Sequence, residues 1–173
     1  MVAQLSSKVK EQQEKILEAF AYIAERAHRK NFYNLLKVFY LADKLHMERY
    51  GRFIFADKYA AMVRGPVPSL AYDLLKSIRS GSALPNELKA KVYVSCDHNV
   101  NLMSQFDDNL FSDSDLECID EIINLSKTRD LGDLSHDAAW EKTPRNATMA
   151  TSDIIDTLLD SKTIQDLHIN RHA

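Results

Sequence analysis

The order of apolar and polar positions divides the chain into helical stretches around one short interval of strand period. Val9, Ile16, Phe20, Ile23 and Ala27 recur at helical spacing over Val9 to Arg29, with Leu17 and Ala24 beside them. Ser6 and Ser7 stand ahead of this stretch as caps, and Arg26, Arg29 and Lys30 gather at its C-terminal end, where cations suit the helix dipole. A second helix is predicted from an Asn31 cap to about Tyr50, ended by Gly51. Phe32, Leu35, Leu36, Phe39, Tyr40, Ala42, Leu45 and His46 cover much of its circumference. A helix that is apolar on several sides packs on several sides, so 31–50 is expected to form the centre of the fold.

Arg52 to Val63 carries no helical stripe, and its Phe53, Phe55, Tyr59 and Met62 predict an extended or irregular connection that buries rings. Gly65-Pro66-Val67-Pro68 reads as a rigid turn whose prolines sit at a helix entry, where the first amides lack helical partners. Leu70, Leu74, Leu75 and Ile78 mark a third helix that stops near Gly81. Val92 and Val94 alternate with polar neighbours, Asp97-His98-Asn99 supplies turn chemistry, and Val100 and Leu102 alternate beyond it, which predicts a β-hairpin. Ser112 to Asp115 has the form of a capping box, opening a fourth helix with the stripe Leu116, Ile119, Ile122 and Ile123. Asp130 caps a short fifth helix through Leu134 to Trp140, closed by Pro144. Ser152 caps a last pattern, Ile154, Ile155, Leu158 and Leu159, beyond which Ile164 and Leu167 either continue the helix or belong to a loose tail after about 161. The expected fold is mainly α with a small β-hairpin (α+β), one compact domain over 1–173 around the central apolar helix.

Composition narrows the function classes. The chain has 173 residues, 45% of them hydrophobic and 27% charged, an ordinary mix for a globular domain. No apolar run approaches the roughly 20 residues that span a bilayer, and Met1 to Lys15 lacks the apolar middle of a signal peptide. A cytoplasmic location without membrane contact is expected, with Cys96 and Cys118 as reduced thiols. Net charge is -3, but it is unevenly spread. Residues 1–80 hold fourteen Lys and Arg against eight Asp and Glu, whereas residues 107–133 hold nine Asp and Glu against two Lys and Arg. These segments face each other within the fold, or each is simply a solvated face, or the acidic one, with Asp113, Asp115 and Glu117, meets a basic partner.

Motifs for catalysis are scarce. No G-x-S-x-G and no glycine-rich phosphate loop is present. Cys96 and His98 lack two further ligands at zinc spacing, and Asp113 and Asp115 lack the glycine-centred loop of a calcium site, so no metal or cofactor is expected. Asp43 and His46 share a helical face, either as an acid–base pair or half a metal site or, more simply, as a hydrogen bond that satisfies a partly buried histidine. His136, four before Trp140, reads the same way. An enzyme would need Asp43, His46 and His136 to converge in a pocket. His28, Arg29, Lys30, Lys37 and Lys44 form a modest basic strip, but a sequence pI near 6.1 argues against nucleic acid as the main partner.

One stretch carries a resemblance. Asn34 to Arg52 reads NLLKVFYLADKLHMERYGR, followed by Ala56-Asp57-Lys58-Tyr59, Met62, Gly65-Pro66-Val67-Pro68-Ser69 and Tyr72-Asp73-Leu74-Leu75. In order and spacing this resembles the Panacea domain, also called the SocA-like antitoxin domain. Lys91 to Met103, Phe111 to Glu117, and Leu134-Ser135-His136 with Ala139-Trp140 resemble further elements of that family. Phe53 stands where the family has proline, Tyr40-Leu41 where Tyr-Phe is common, and the chain after Trp140 matches loosely. The resemblance implies a bacterial antitoxin, often of phage or prophage context, that neutralises a cognate toxin encoded nearby by direct binding. An adaptor that delivers the toxin to an ATP-dependent protease is the alternative it also implies. Candidate partner-binding or motif residues are then Lys37, Tyr40, Asp43, His46, Tyr50, Asp57, Tyr59, Gly65, Pro66, Pro68 and Tyr72, with Asp113, Asp115, Glu117, His136 and Trp140. Lys37, Asp43 and Asp57 are expected to hold the connection between helices through a polar network, and Gly65 to allow a positive φ or a tight turn.

Overall fold

A computed structural model describes residues 2–158. Helix α1 spans Val2–Arg26 and α2 spans Phe32–Tyr50. The second helix begins and ends where its caps dictate. The Asn31 side chain accepts the Asn34 amide at 2.7 Å, and Gly51, at φ 70°, turns its own amide back to Met47. Leu35, Val38, Phe39 and Ala42 have no exposed surface, and each of the larger side chains contributes about 1.5–3 kcal/mol of burial. Helix α1 starts well before Val9, which is 45% exposed, as Leu5 is 59% exposed. Its polar first turns remain helical in solvent, so Ser6 and Ser7 lie inside the helix rather than capping it. Only from Ile16 onward does its apolar stripe meet the core.

Strands β1 (Tyr59–Met62) and β2 (Gly65–Pro68) pair antiparallel, Tyr59 opposite Pro68 and Met62 opposite Gly65. The Gly-Pro-Val-Pro segment is therefore a strand and not a turn. The alternation of ladder bonds explains it: Ala60 faces Val67, which has an amide to give, while Pro66 and Pro68 fall at positions turned away from β1. The other edge of β1 is taken by the segment at 146–149, through Ala61 N to Ala147 O at 2.9 Å and Met149 N to Tyr59 O at 2.7 Å. Helix α3 (Ser69–Ser80) follows directly and is closed by Gly81 at φ 71°. The expected hairpin forms as β3 (Val92–Val94) and β4 (Val100–Leu102). Helix α4 (Asp113–Leu125) opens on Ser112 with both bonds of the capping box.

The single helix expected over Asp130 to Trp140 is two, α5 (Leu131–Ser135) and α6 (Ala138–Lys142). Asp130 caps the first, and Asp137 interrupts the run because its side chain caps the second, accepting the Trp140 amide at 3.0 Å. Helix α7 (Thr151–Asp156) begins after Ala150 with no side-chain cap, so Ser152 lies within it. Leu159, Ile164 and Leu167 lie outside the described residues. One apolar core draws on all of these helices, with α2 in contact with α1, α4, α5, α7 and β2. Phe39 links layers, stacking on Phe55 at 4.1 Å between ring centroids and meeting Phe20 at 5.5 Å. The fold is mainly α, with two small hairpins where one was expected.

Candidate functional site

The motif residues of α2 turn inward. Asp43 is fully buried and accepts three hydrogen bonds, from the amides of Ile54 at 2.7 Å and Phe55 at 3.1 Å and from the Tyr59 hydroxyl at 2.6 Å. This one carboxylate pins the irregular segment 51–58 to the helix. Burial pushes its pKa up to about 7 in spite of those donors. His46, also buried, donates from Nδ1 to the Arg52 carbonyl at 2.9 Å, which leaves Nε2 to accept from the Ser114 hydroxyl at 2.9 Å. Burial holds its pKa below the usual histidine value. Asp43 and His46 thus do not bond each other, although they share a stretch of helix; each ties α2 to a different segment.

Lys37 is the least expected interior group, with 0% of its surface exposed. Its Nζ donates to the Pro66 carbonyl at 2.8 Å and lies 4.9 Å from the Tyr33 ring centroid. Burial drops its pKa from the ordinary 10.5 to about 7. Gly65, at φ 109°, lets β2 come this close: a Cβ there would stand 2.6 Å from Lys37 Nζ and 3.0 Å from His136 Nε2. Asp57 acts in a third place. Pro68 offers α3 no side-chain cap, and Asp57 replaces it from a distance by accepting the amides of Leu70 and Ala71, both at 3.0 Å. Lys37, Asp43 and Asp57 therefore hold the connection through three separate anchors rather than one network.

The junction of α5 and α6 closes the other side. Asp137 accepts from the Tyr40 hydroxyl and from Lys44 Nζ, both at 2.7 Å, and Tyr40 packs edge-on against Tyr59 at 4.9 Å. Trp140 lies between His136, stacked at 4.2 Å, and the Arg145 guanidinium at 4.0 Å, and its indole N–H donates to the Met62 carbonyl at 2.8 Å. His136 Nε2 is buried with no hydrogen-bond partner among the described residues. The basic strip is cut short: His28 and Arg29 are exposed and Lys30 is half-buried, but Lys37 is inside and Lys44 is paired.

The acidic segment faces the basic half of the chain, the first of the arrangements expected. Asp115 is 1% exposed and pairs with Lys15 at 2.9 Å and Arg52 at 2.7 Å. Arg49 pairs with Glu117 at 3.2 Å and Glu121 at 2.7 Å, Tyr50 donates to Glu117 at 3.1 Å, and Tyr22 donates to Asp120 at 2.7 Å. Of the three acidic candidates only Asp113 is exposed without an ion pair, because the others neutralise α1 and α2.

An open groove of opposite character lies between the start of α2, the β1–β2 turn and α3. It encloses about 620 Å³ and is walled by apolar and aromatic side chains, Phe32, Tyr33, Leu36, Met62, Val67 and Tyr72. Phe32 and Tyr72 meet edge to face at 5.8 Å, and Arg79 lies 5.0 Å over the Phe32 ring. Val63, 75% exposed, stands at its rim beside Arg64, whose carbonyl accepts the Tyr33 hydroxyl at 2.8 Å. Of the candidate partner-binding residues only Tyr72 reaches this groove; Phe32 reads from the sequence as an apolar position of α2, and Val63, Arg64 and Arg79 carry no pattern of their own. The one signal was Val63-Arg64, an apolar and a basic residue between Met62 and Gly65 where turns favour Gly, Asn or Asp.

The arrangement defines a helical domain whose most distinctive sequence block builds the scaffold. Residues 35–141 match the family model described as antitoxin SocA-like, Panacea domain, and the chain belongs to that family. The match runs from α2 through α6. No curated protein and no solved structure matches the chain.

Proposed function

We propose that this protein is an antitoxin that neutralises a cognate toxin by binding it directly. The family match over residues 35–141 carries the reading. The interior supports it, since Asp43 and His46 are committed to separate structural hydrogen bonds rather than to a nucleophile and its base. The aromatic and arginine-lined groove supports it further, because such residues dominate binding energy at protein interfaces. The test is growth of bacteria that express the product of the neighbouring reading frame, alone and together with this protein. Toxicity alone, rescue together, and an unchanged toxin half-life are expected. Toxicity that persists in the presence of this protein refutes the antitoxin role, and a shortened half-life assigns it to delivery to a protease instead.

A further inference from the structure

We infer that the groove between α2, the β1–β2 turn and α3 is the surface that receives the toxin, and that it takes an acidic segment of the toxin carrying an apolar or aromatic anchor. This rests on the antitoxin reading above and adds to it the place and the chemistry of the contact.

Charge is the first argument. The protein is net negative, at -3, yet the groove lining includes Arg64 and Arg79 and no Asp or Glu. Elsewhere the arginines that border the acidic segment are neutralised, Arg49 by Glu117 and Glu121 and Arg52 by Asp115. Arg64 and Arg79 meet no carboxylate among the described residues, and Arg79 instead lies over an aromatic ring. Lys76 lies 4.5 Å from the Tyr72 ring but is paired with Asp73 at 3.1 Å, so the unpaired positive charge of the rim is that of the two arginines. The N-terminal end of α2, a helix of 19 residues, opens on the same groove at Asn31 and adds the positive end of its dipole. A partner segment bearing carboxylates is what this field attracts.

Shape and composition are the second argument. Apolar walls of this size hold a side chain and not only a charge. The β1–β2 turn places Val63 outward because Gly65 takes the positive φ and leaves Val63 and Arg64 in ordinary conformations. A β-branched side chain held 75% exposed at a rigid tip is costly to solvate and ready for desolvation by a partner. Two residues held in the left-handed region without being glycine, His98 at φ 63° and Asn146 at φ 67°, also line the groove. Backbone strain of this kind gathers where binding requires a fixed shape.

The experiment measures binding of the purified product of the neighbouring reading frame to the full chain and to Val63→Asp, Arg64→Glu and Arg79→Glu, with Lys10→Glu, on the solvated start of α1, as a control whose charge change equals that of each arginine reversal. All four positions are exposed, so unchanged thermal melting is expected. Each groove variant should raise Kd at least about tenfold. The two arginine reversals should also slow association most at low salt, and Lys10→Glu should leave Kd within about twofold. The same variants should fail to rescue growth. Equal binding by wild type and all groove variants overturns the assignment of the groove while leaving the antitoxin reading intact. No binding by the wild type overturns both. Two other results overturn it as well: a single-stranded DNA or RNA oligonucleotide that binds the wild type and is lost with Arg64→Glu, or a change in the protein's own oligomeric state on Val63→Asp.

Discussion

Lys37 makes the stability of this protein depend on pH in a window where few proteins respond. Its ammonium is held without exposed surface against the Pro66 carbonyl, and desolvation lowers its pKa from 10.5 to about 7. An unfolded lysine keeps its proton up to about pH 10.4. Between these values the unfolded chain binds the extra proton, so stability rises with pH from about 7 upward and is lowest, on this group's account, below 7. At about 1.4 kcal/mol for each unit of pKa, the full depression corresponds to a cost of about 5 kcal/mol below pH 7 that disappears by pH 10 to 11. Lys37→Met removes the titration while roughly keeping the length of the side chain. Its loss of the hydrogen bond to Pro66 is the same at every pH. Urea unfolding of both proteins at pH 6, 6.5, 7, 8 and 9 and fixed ionic strength isolates the effect, because all other titrating groups cancel in the difference. The wild type should gain on the variant by about 1 kcal/mol per pH unit between 7 and 9, and not between 6 and 6.5. Stability differences that stay constant to within about 0.5 kcal/mol across that range would show that Lys37 keeps its proton in the folded state and is not desolvated there.

Other expectations follow from single contacts. Gly65→Ala combines a strained φ of 109° with a Cβ 2.6 Å from Lys37 Nζ, and should destabilise by about 3–5 kcal/mol in chemical denaturation; a loss under about 1 kcal/mol would contradict the close approach. Asp43→Ala strips the acceptor from two amides and the Tyr59 hydroxyl and should cost about 3–5 kcal/mol, whereas Asp43→Asn, which keeps one acceptor oxygen, should cost less than half of that. Asp115 is buried, which raises a carboxyl pKa, but the hydrogen bonds and charges of Lys15, Arg52 and the Ser112 amide hold it below the usual value. Its contribution is therefore present above about pH 4 and lost as pH falls through the depressed value, so acid unfolding of Asp115→Asn should be less steep than that of the wild type.

Much of the scaffold could be read from residue order because its signals are local. Asn31 and Gly51 bracket α2, Ser112 and Asp115 cap each other, and the alternation around Asp97 to Asn99 folds into β3 and β4. What could not be read depends on distant partners. Pro66 and Pro68 look like turn residues until β1 supplies a register in which neither needs an amide. The cap of α3 comes from Asp57, eleven positions before Pro68, and the break between α5 and α6 reflects a carboxylate that also serves Tyr40 and Lys44. Lys37 has the spacing of an interior position, but only the approach of β2 gives its ammonium an acceptor. The groove left no continuous trace, since Phe32, Arg64 and Arg79 come from three segments. The acidic run was visible as composition, but its pairing with Lys15, Arg49 and Arg52 was not.

The packing around Trp140 has a spectroscopic consequence. It is the one tryptophan in the chain. Its indole is held between an imidazole and a guanidinium and hydrogen-bonded to Met62, whose side chain forms part of the groove wall. Emission excited at the red edge of protein absorption thus reports from a single site. A ligand that displaces the β1–β2 turn would change its wavelength or intensity without any attached dye, so titration and stopped-flow mixing can follow occupancy of the groove on the unlabelled protein, provided the ligand itself contains no tryptophan.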